Sequence, residues 1–442
     1  MKKTSMRPQM RNHLEVSALL ALALSVRLSL LVITSGLFSL LLPVSAAGQV
    51  TYTITDLGTL GGNNSIPMWI TDSGEVVGVS DTGRFDSSSN PIDHTFVWRN
   101  GSMHDLGTLG GNNSGAGSAN NEGDVVGISD VTGGATSHAT LWDKDAIIDL
   151  GTLAGPAAQS TTNSVNNRHQ IVGGSVLADG TTFHAVLWQD RKPIDLGTLG
   201  GQNSLAIGIN DVGQIIGISE YNNVVNPILG FPPFNPVIWY KGVITDLGPG
   251  PNGGIGGDGF MINNRGQAVG RFALPDPTEG AVAHAYVWQS GVMRDLGVPA
   301  GLGDDNSEAF AVNDKGQIVG DSGIGFIESY NSDHALLWQD GKWFDLNTLI
   351  PASSGYQLII ASDINARGQI VVWAVDQSTG NIHAALLTPQ QAEEQRNGAT
   401  EGSNVARAPS ASTTAASSSG IPFLSEDAKR LLDLARHAKH PH

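Results

Sequence analysis

The sequence predicts an all-β fold, a seven-bladed β-propeller of four-stranded blades closed by its N-terminal strand, and three observations carry that prediction. First, Trp98, Trp142, Trp188, Trp239, Trp288 and Trp338 recur at intervals of 44, 46, 51, 49 and 50 residues, the periodicity of a repeated supersecondary unit. Second, an aspartate followed by leucine stands seven residues after each tryptophan, at Asp105, Asp149, Asp195, Asp246, Asp295 and Asp345, and Asp56-Leu57 is a seventh copy near the front with no tryptophan before it. Third, a turn signature such as Asn210-Asp211-Val212-Gly213-Gln214-Ile215-Ile216-Gly217 lies between these marks in every unit.

Each unit reads as four short strands. The first ends in a segment such as Ala311-Val312-Asn313, and Asp314-Lys315-Gly316 supplies the Asx and Gly of a tight turn. The second begins Gln317-Ile318-Val319-Gly320, with counterparts at Glu75, Asp124, Gln170, Gln214, Gln267 and Gln369. The third is of the type His334-Ala335-Leu336-Leu337-Trp338. A two-residue turn, Asp340-Gly341 here and Asn100-Gly101, Lys241-Gly242 and Ser290-Gly291 elsewhere, keeps the glycine of a type I′ hairpin and leads into the fourth strand. Strands this apolar on both faces need cover on both faces, which neighbouring blades provide. The last unit has its third strand, His383-Ala384-Ala385-Leu386-Leu387, but no fourth, whereas residues 50–57 are a fourth strand without a blade. Joining them closes the ring and removes both open edges.

Composition agrees and excludes several classes. The 442 residues include 56 glycines, 9 tryptophans and no cysteine, and the net charge is −17. Without cysteine there is no disulfide framework, thiolate metal site or cysteine nucleophile. Residues 47–389 hold 13 basic and 34 acidic residues, so the body lacks the clustered Lys and Arg that nucleic-acid binding requires. At the front, Lys2, Lys3, Arg7 and Arg11 precede an apolar run from Leu28 to Leu42 and then Ser45-Ala46-Ala47. That order reads as a secretory signal peptide over 1–47, cleaved after Ala46 or Ala47, with no membrane span left after cleavage. The propeller occupies 48–389. A Ser/Ala/Thr/Gln-rich linker follows over 390–424, and Ser425 opens a short amphipathic tail helix over 425–442. The expected location is secreted, periplasmic or cell surface, and the expected state is a monomer.

His-Ala-x-Leu-Trp, Asp-Leu-Gly-Thr-Leu-Gly-Gly and Asn-Asp-x-Gly-Gln-Ile-Val-Gly, over about residues 50 to 388, resemble the bacterial HAF family extracellular repeat. The resemblance implies export and repetition, not a reaction or a ligand. Unit four departs from it at Asn235-Pro236, which replace His-Ala, and unit seven lacks the tryptophan.

Repeated polar residues are expected to serve the blades. His94, His138, His184, His284, His334 and His383 occupy equivalent positions around the ring and are too far apart to form one site. Function is expected where blades differ, on the face carrying loops 80–93, 129–137, 175–183, 219–235, 271–283, 321–333 and 373–382. Its aromatics Tyr221, Phe231, Phe234, Phe272, Phe326 and Tyr330 are candidate ligand-binding residues for an extracellular carbohydrate or protein. Trp69 joins them from the first-strand set Trp69, Ser118, Ser164, Gly208, Met261, Ala311 and Asp363, in which Asp363 alone is titratable. The glycine-rich loops at 57–65 and 106–114 could offer backbone N–H groups to an anion. No cofactor motif or catalytic constellation is present. Asp304 and Asp305 supply hard oxygen ligands for Ca²⁺ without the full spacing of a calcium loop. A binding or scaffold module is the leading expectation. The alternative is a propeller enzyme acting on a polysaccharide or lactone at the channel mouth.

Overall fold

The computed structural model describes residues 50–133, 136–324 and 334–390. The segments expected as signal peptide, linker and tail helix lie outside the described residues, except that Gln390, expected to open the linker, ends a strand instead; Phe326 and Tyr330 also lie outside them.

Seven antiparallel four-stranded sheets follow one another along the chain. Blade one comprises β2 (Ser65–Ile70), β3 (Val76–Phe85), β4 (Pro91–Arg99) and β5 (Ser102–Asp105); blade two, β6 (Gly110–Ala119), β7 (Asp124–Val131), β8 (Ser137–Asp143) and β9 (Ala146–Asp149). Blade three is β10 (Ser160–Val165), β11 (Ile171–Val176), β12 (Phe183–Gln189) and β13 (Lys192–Asp195), and blade four β14 (Ser204–Ile209), β15 (Ile215–Glu220), β16 (Phe234–Tyr240) and β17 (Val243–Asp246). Blade five is β18 (Gly257–Ile262), β19 (Ala268–Asp276), β20 (Gly280–Gln289) and β21 (Val292–Asp295). Blade six is β22 (Asn306–Val312), β23 (Ile318–Gly323), β24 (His334–Gln339) and β25 (Lys342–Asp345). Blade seven takes β26 (Tyr356–Ile364), β27 (Ile370–Asp376) and β28 (Ile382–Gln390), and its outer strand is β1 (Thr51–Asp56), paired with β28 from Thr51↔Gln390 to Asp56↔Ala385.

The turns between third and fourth strands have the chemistry their sequence demands. Asn100 and Gly101 have φ of 53° and 78°, and Asp340 and Gly341 of 53° and 82°, the positive values a type I′ turn needs at both central residues. Several of the expected long loops are instead short hairpin connections. β3 and β4 leave only 86–90 between them, and β19 and β20 only 277–279, because cross-strand pairing continues past the repeated core, as far as Asp276↔Gly280 in blade five.

Apolar residues of each blade pack against the next. Leu141 and Leu150 of blade two meet Val165, Ile171 and Trp188 of blade three. Leu57, Ile70 and Phe96 meet Val371, Ala384 and Leu386 where blade seven adjoins blade one. Two tiers of hydrogen bonds reinforce these contacts at the first-to-second-strand turns. In the inner tier, Nδ2 of Asn120, Asn166, Asn210, Asn263, Asn313 and Asn365 each donates to the main-chain oxygen of the next blade's equivalent residue, at 2.9 to 3.1 Å. Thr71 holds the seventh position and breaks this tier. In the outer tier, the N–H of Asp72, Asn121, Asn167, Asp211, Asn264 and Ala366 each donates to the next blade's Asx side chain. Ala366 offers no such acceptor to Asp314, so the tier breaks there. The turn motif therefore joins blades as well as reversing the chain.

Candidate functional site

The site grows out of a glycine. In the second strand, a Cβ on Gly78, Gly127, Gly173, Gly217, Gly270 or Gly320 would lie 1.9 to 2.1 Å from a main-chain oxygen of the first strand. Only glycine permits that approach. Next to each contact the first strand bulges, skipping one residue of register between Pro67 and Trp69, Ala116 and Ser118, Thr162 and Ser164, Ala206 and Gly208, Gly259 and Met261, and Ala309 and Ala311. Bulges re-aim side chains. The skipped residues are Met68, Gly117, Asn163, Ile207, Phe260 and Phe310, and Ser362 is skipped in blade seven. All seven line one central cavity of about 460 Å³. The repeat thus builds a fixed scaffold on which the cavity-facing residue varies between blades, phenylalanine alone recurring, at Phe260 and Phe310.

The cavity is asymmetric. Trp69, Met68, Ile207, Phe260, Met261 and Phe310 give it apolar walls, and the Phe260 and Phe310 rings lie 5.6 Å apart at 33°. Polar groups come mainly from blades one and two, with Asp86, Asn90, Asp93, Asn113, Asp130 and Ser137 at its edge. Asp130 accepts from Ser137 Oγ at 2.7 Å and from Asn113 N and Nδ2 at 3.0 and 3.1 Å. Asn113 Oδ1 in turn accepts the Asp93 N–H at 3.1 Å. Hydrogen bonds from the Asn90 side chain and from the Asn90 and Ser88 main chain hold the Asp86 carboxyl below its usual range. Among the described residues lining this cavity there is no Lys, Arg or His.

The candidate aromatics separate. Trp69 lines the cavity. Phe272 does not reach a surface: it is fully buried, edge-on to His284 at 6.0 Å. Its expected place in an exposed loop is corrected by the extension of β19, which pairs Phe272 with His284. Tyr221 is 38% exposed on the loop after β15, and Phe231 and Phe234 pack on each other at 6.4 Å. None of these three lines the cavity.

Repeated polar residues do serve the blades. His94, His138, His184, His284 and His383 place Nδ1 2.8 to 3.1 Å from the carboxylates of Asp105, Asp149, Asp195, Asp295 and Asp56. Blade four substitutes Asn235 Nδ2 to Asp246 at 2.9 Å. In blade six His334 turns to Asp304 at 3.1 Å, which also accepts from Ser322. Asp304, one of the two Ca²⁺ candidates, thereby takes the role Asp345 would have had, and Asp305 accepts from Asn306 Nδ2. No group of three or more metal-ligating side chains forms among the described residues. The glycine-rich loop of residues 57–65 spends its N–H groups internally: Gly58 on Asp56, Leu60 on Ser80 Oγ, Gly61 on Thr59 Oγ1, Gly62 on Asp81 O and Asn63 on Asp81 Oδ2. It presents no anion nest.

One charged cluster escaped the sequence reading. Arg271 on β19 bonds Asp258 on β18 at 2.8 Å and reaches across to Glu308 on β22. Burial opposes the guanidinium's charge, but Glu308 and Asp258 outweigh it and raise its pKa. The position that carries Asp258 and Glu308 holds Ile66, Gly115, Thr161 and Leu205 in blades one to four. The sequence carries the difference three residues before Met261 and Ala311 of the first-strand set.

No protein-family model matches the chain, and no curated protein matches it. Among solved structures it is similar to the β-propeller domain of the Trilobed protease from Pyrococcus furiosus, with 9% identity, a TM-score of 0.48, and coverage of 77% of this chain and 95% of that one. It is also similar to a puromycin-hydrolyzing peptidase of Mycobacterium tuberculosis, with 12% identity, a TM-score of 0.42, and coverage of 75% of this chain and 53% of that one. An acylaminoacyl peptidase of Pyrococcus horikoshii gives 14% identity, a TM-score of 0.37, and coverage of 71% and 50%. No residue role is transferred from these distant likenesses.

Proposed function

We propose that this chain is an exported binding module whose ligand, an extracellular carbohydrate or protein group, enters the central cavity from the long-loop face. One observation carries the reading: seven first-strand bulges, six of them beside a second-strand glycine, bring Met68, Asn163, Ile207, Phe260, Phe310 and Ser362 and the main chain of Gly117 to one cavity. A cavity of this size with apolar walls and a few polar groups is the usual form of a ligand site. Export rests on the order of basic, apolar and small residues at the front of the sequence, and N-terminal sequencing of the native product should begin at Ala47 or Gly48.

The enzyme alternative draws on the Asp258–Arg271–Glu308 cluster, but those carboxylates are engaged by the guanidinium. The test uses Ile207→Trp, which fills the cavity from a bulge position. Calorimetric titration of a glycan and peptide panel, with turnover followed on each hit, should give binding that Ile207→Trp abolishes while the melting temperature holds. Binding that survives Ile207→Trp, or is lost instead on Asn121→Ala at the opposite, short-turn face, overturns the reading.

A further inference from the structure

We propose that the cavity selects an organic cation: a protonated amine or quaternary ammonium carried on an aromatic or branched aliphatic body. The inference rests on the binding reading above and adds the ligand's charge and orientation. Formal charges on the cavity lining are all negative among the described residues, Asp86, Asp93 and Asp130, and all come from blades one and two. The opposite wall is Phe260, Met261 and Phe310 from blades five and six. A ligand that satisfies both walls puts its cation toward Asp130 and Asp86 and its apolar body against the phenylalanines.

Energetics favour this polarity. The acceptor-only carboxylates at the edge are held in place by Asn113, Ser137 and Asn90, so little reorganisation is needed when a donor arrives. Asp130 has three donors in place, which leaves acceptor capacity on a group with about four lone-pair sites. An anionic ligand would have to sit beside carboxylates of its own sign, which repel it. A neutral isostere would gain the apolar contact and lose the charge-assisted hydrogen bond. Trp69 on the same cavity adds an aromatic surface of the kind that attracts ammonium groups.

The experiment compares 4-phenylbutylammonium, 4-phenylbutanol and 4-phenylbutanoate by calorimetry and saturation-transfer NMR on the mature chain, at low and high salt. The ammonium should bind roughly tenfold tighter than the alcohol, the carboxylate should not bind, and the preference should shrink with salt. Asp130→Asn and Asp86→Asn should each reduce the ammonium-over-alcohol ratio and leave the alcohol's affinity in place. Ile207→Trp should remove both. Equal affinity for ammonium and alcohol, with Ile207→Trp still blocking both, overturns the cation preference and leaves the binding site standing. Ammonium binding that persists in Ile207→Trp overturns both readings, and no binding of the ammonium at millimolar concentration overturns the cation preference.

Discussion

Phe272 and Tyr221 are both aromatic and both lie in segments rich in Pro, Gly and Asn, yet they have opposite fates. Phe272 is fully buried and Tyr221 is 38% exposed. Residue type and local composition could not separate them, because the difference comes from how far a hairpin keeps pairing, which is decided by partners twelve residues away. Phe272→Ala should therefore cost about 3 to 5 kcal/mol, the usual range for emptying a large aromatic site, whereas Tyr221→Ala should stay within about 0.5 kcal/mol. Denaturant titration of the two variants checks this, and equal midpoints would refute the burial assignment. Legibility was better for Trp188, whose repeat position foretold burial against a neighbour: it is fully buried, and its Nε1 donates to Leu150 O at 3.0 Å. Ala366 offers the converse change. Ala366→Asn places an acceptor where Asp314 N–H lacks the one its counterparts have, so a gain of about 0.5 to 1.5 kcal/mol is expected in the same titration.

Strands show a second kind of legibility. The glycine of Gln-Ile-Val-Gly was visible as a repeat mark, but its purpose was not, because a bulge in a neighbouring strand leaves no trace in hydrophobic alternation. That is why the cavity residues Met68, Asn163, Ile207, Phe260 and Phe310 are not legible in the repeat, whose alternation points instead to the positions one residue later. Blade seven limits the link: Val372 stands in the glycine's place, yet β26 still skips Ser362 between Ala361 and Asp363, so the bulge forms there without the glycine. Gly217→Ala, which sets a Cβ 2.1 Å from Leu205 O, should destabilise blade four by about 1 to 3 kcal/mol and displace Ile207 from the cavity. Ligand affinity should fall more than stability alone explains.

The strand pair β1–β28 adds a pH dependence of its own. Burial works against ionisation of Asp56, yet His383 Nδ1 at 2.8 Å, the Gly58 N–H and the Tyr356 hydroxyl outweigh it and hold the carboxyl at about 2, below the ordinary 3.8. Hydrogen bonding to Asp56 raises His383 above 6.5 against the opposing effect of burial. A raised histidine contributes stability that is complete below pH 6.5 and disappears as pH climbs through its folded value. A depressed aspartate contributes stability that is complete above pH 3.8 and disappears as pH falls through about 2. The pair is therefore strongest between pH 3.8 and 6.5. His383→Gln should lower the melting temperature most within that window and progressively less above it, and a penalty that grows toward alkaline pH would contradict the assignment.

At the scale of the whole molecule, the periodic features were the legible ones: blade number, strand order and the chain's fourth-strand fragment at residues 50–57 all follow from a repeat that must be covered on every side. Asymmetric features were hidden, since the cavity's charge and the Arg271 cluster arise from residues that occur once. The ring also makes distant parts of the chain interdependent. β1 gives blade seven its outer strand, while Leu57 packs with Ala384 and Leu386 beside Ile70 and Phe96 of blade one. Ala384 N–H donates to Ser65 Oγ at 2.9 Å and Ile382 N–H to Asn64 Oδ1 at 3.0 Å, so the same junction is tied by hydrogen bonds. Deleting residues 49–57 exposes the edge of β28, a row of unpaired main-chain groups prone to intermolecular pairing, and removes Leu57 from the blade-one interface. The truncated chain should lose cooperative unfolding or aggregate on heating, as followed by circular dichroism and light scattering. Deleting residues 400–442 should leave the transition unchanged. If the N-terminal truncation melts like the untruncated chain, the stability of the ring does not depend on its closing strand.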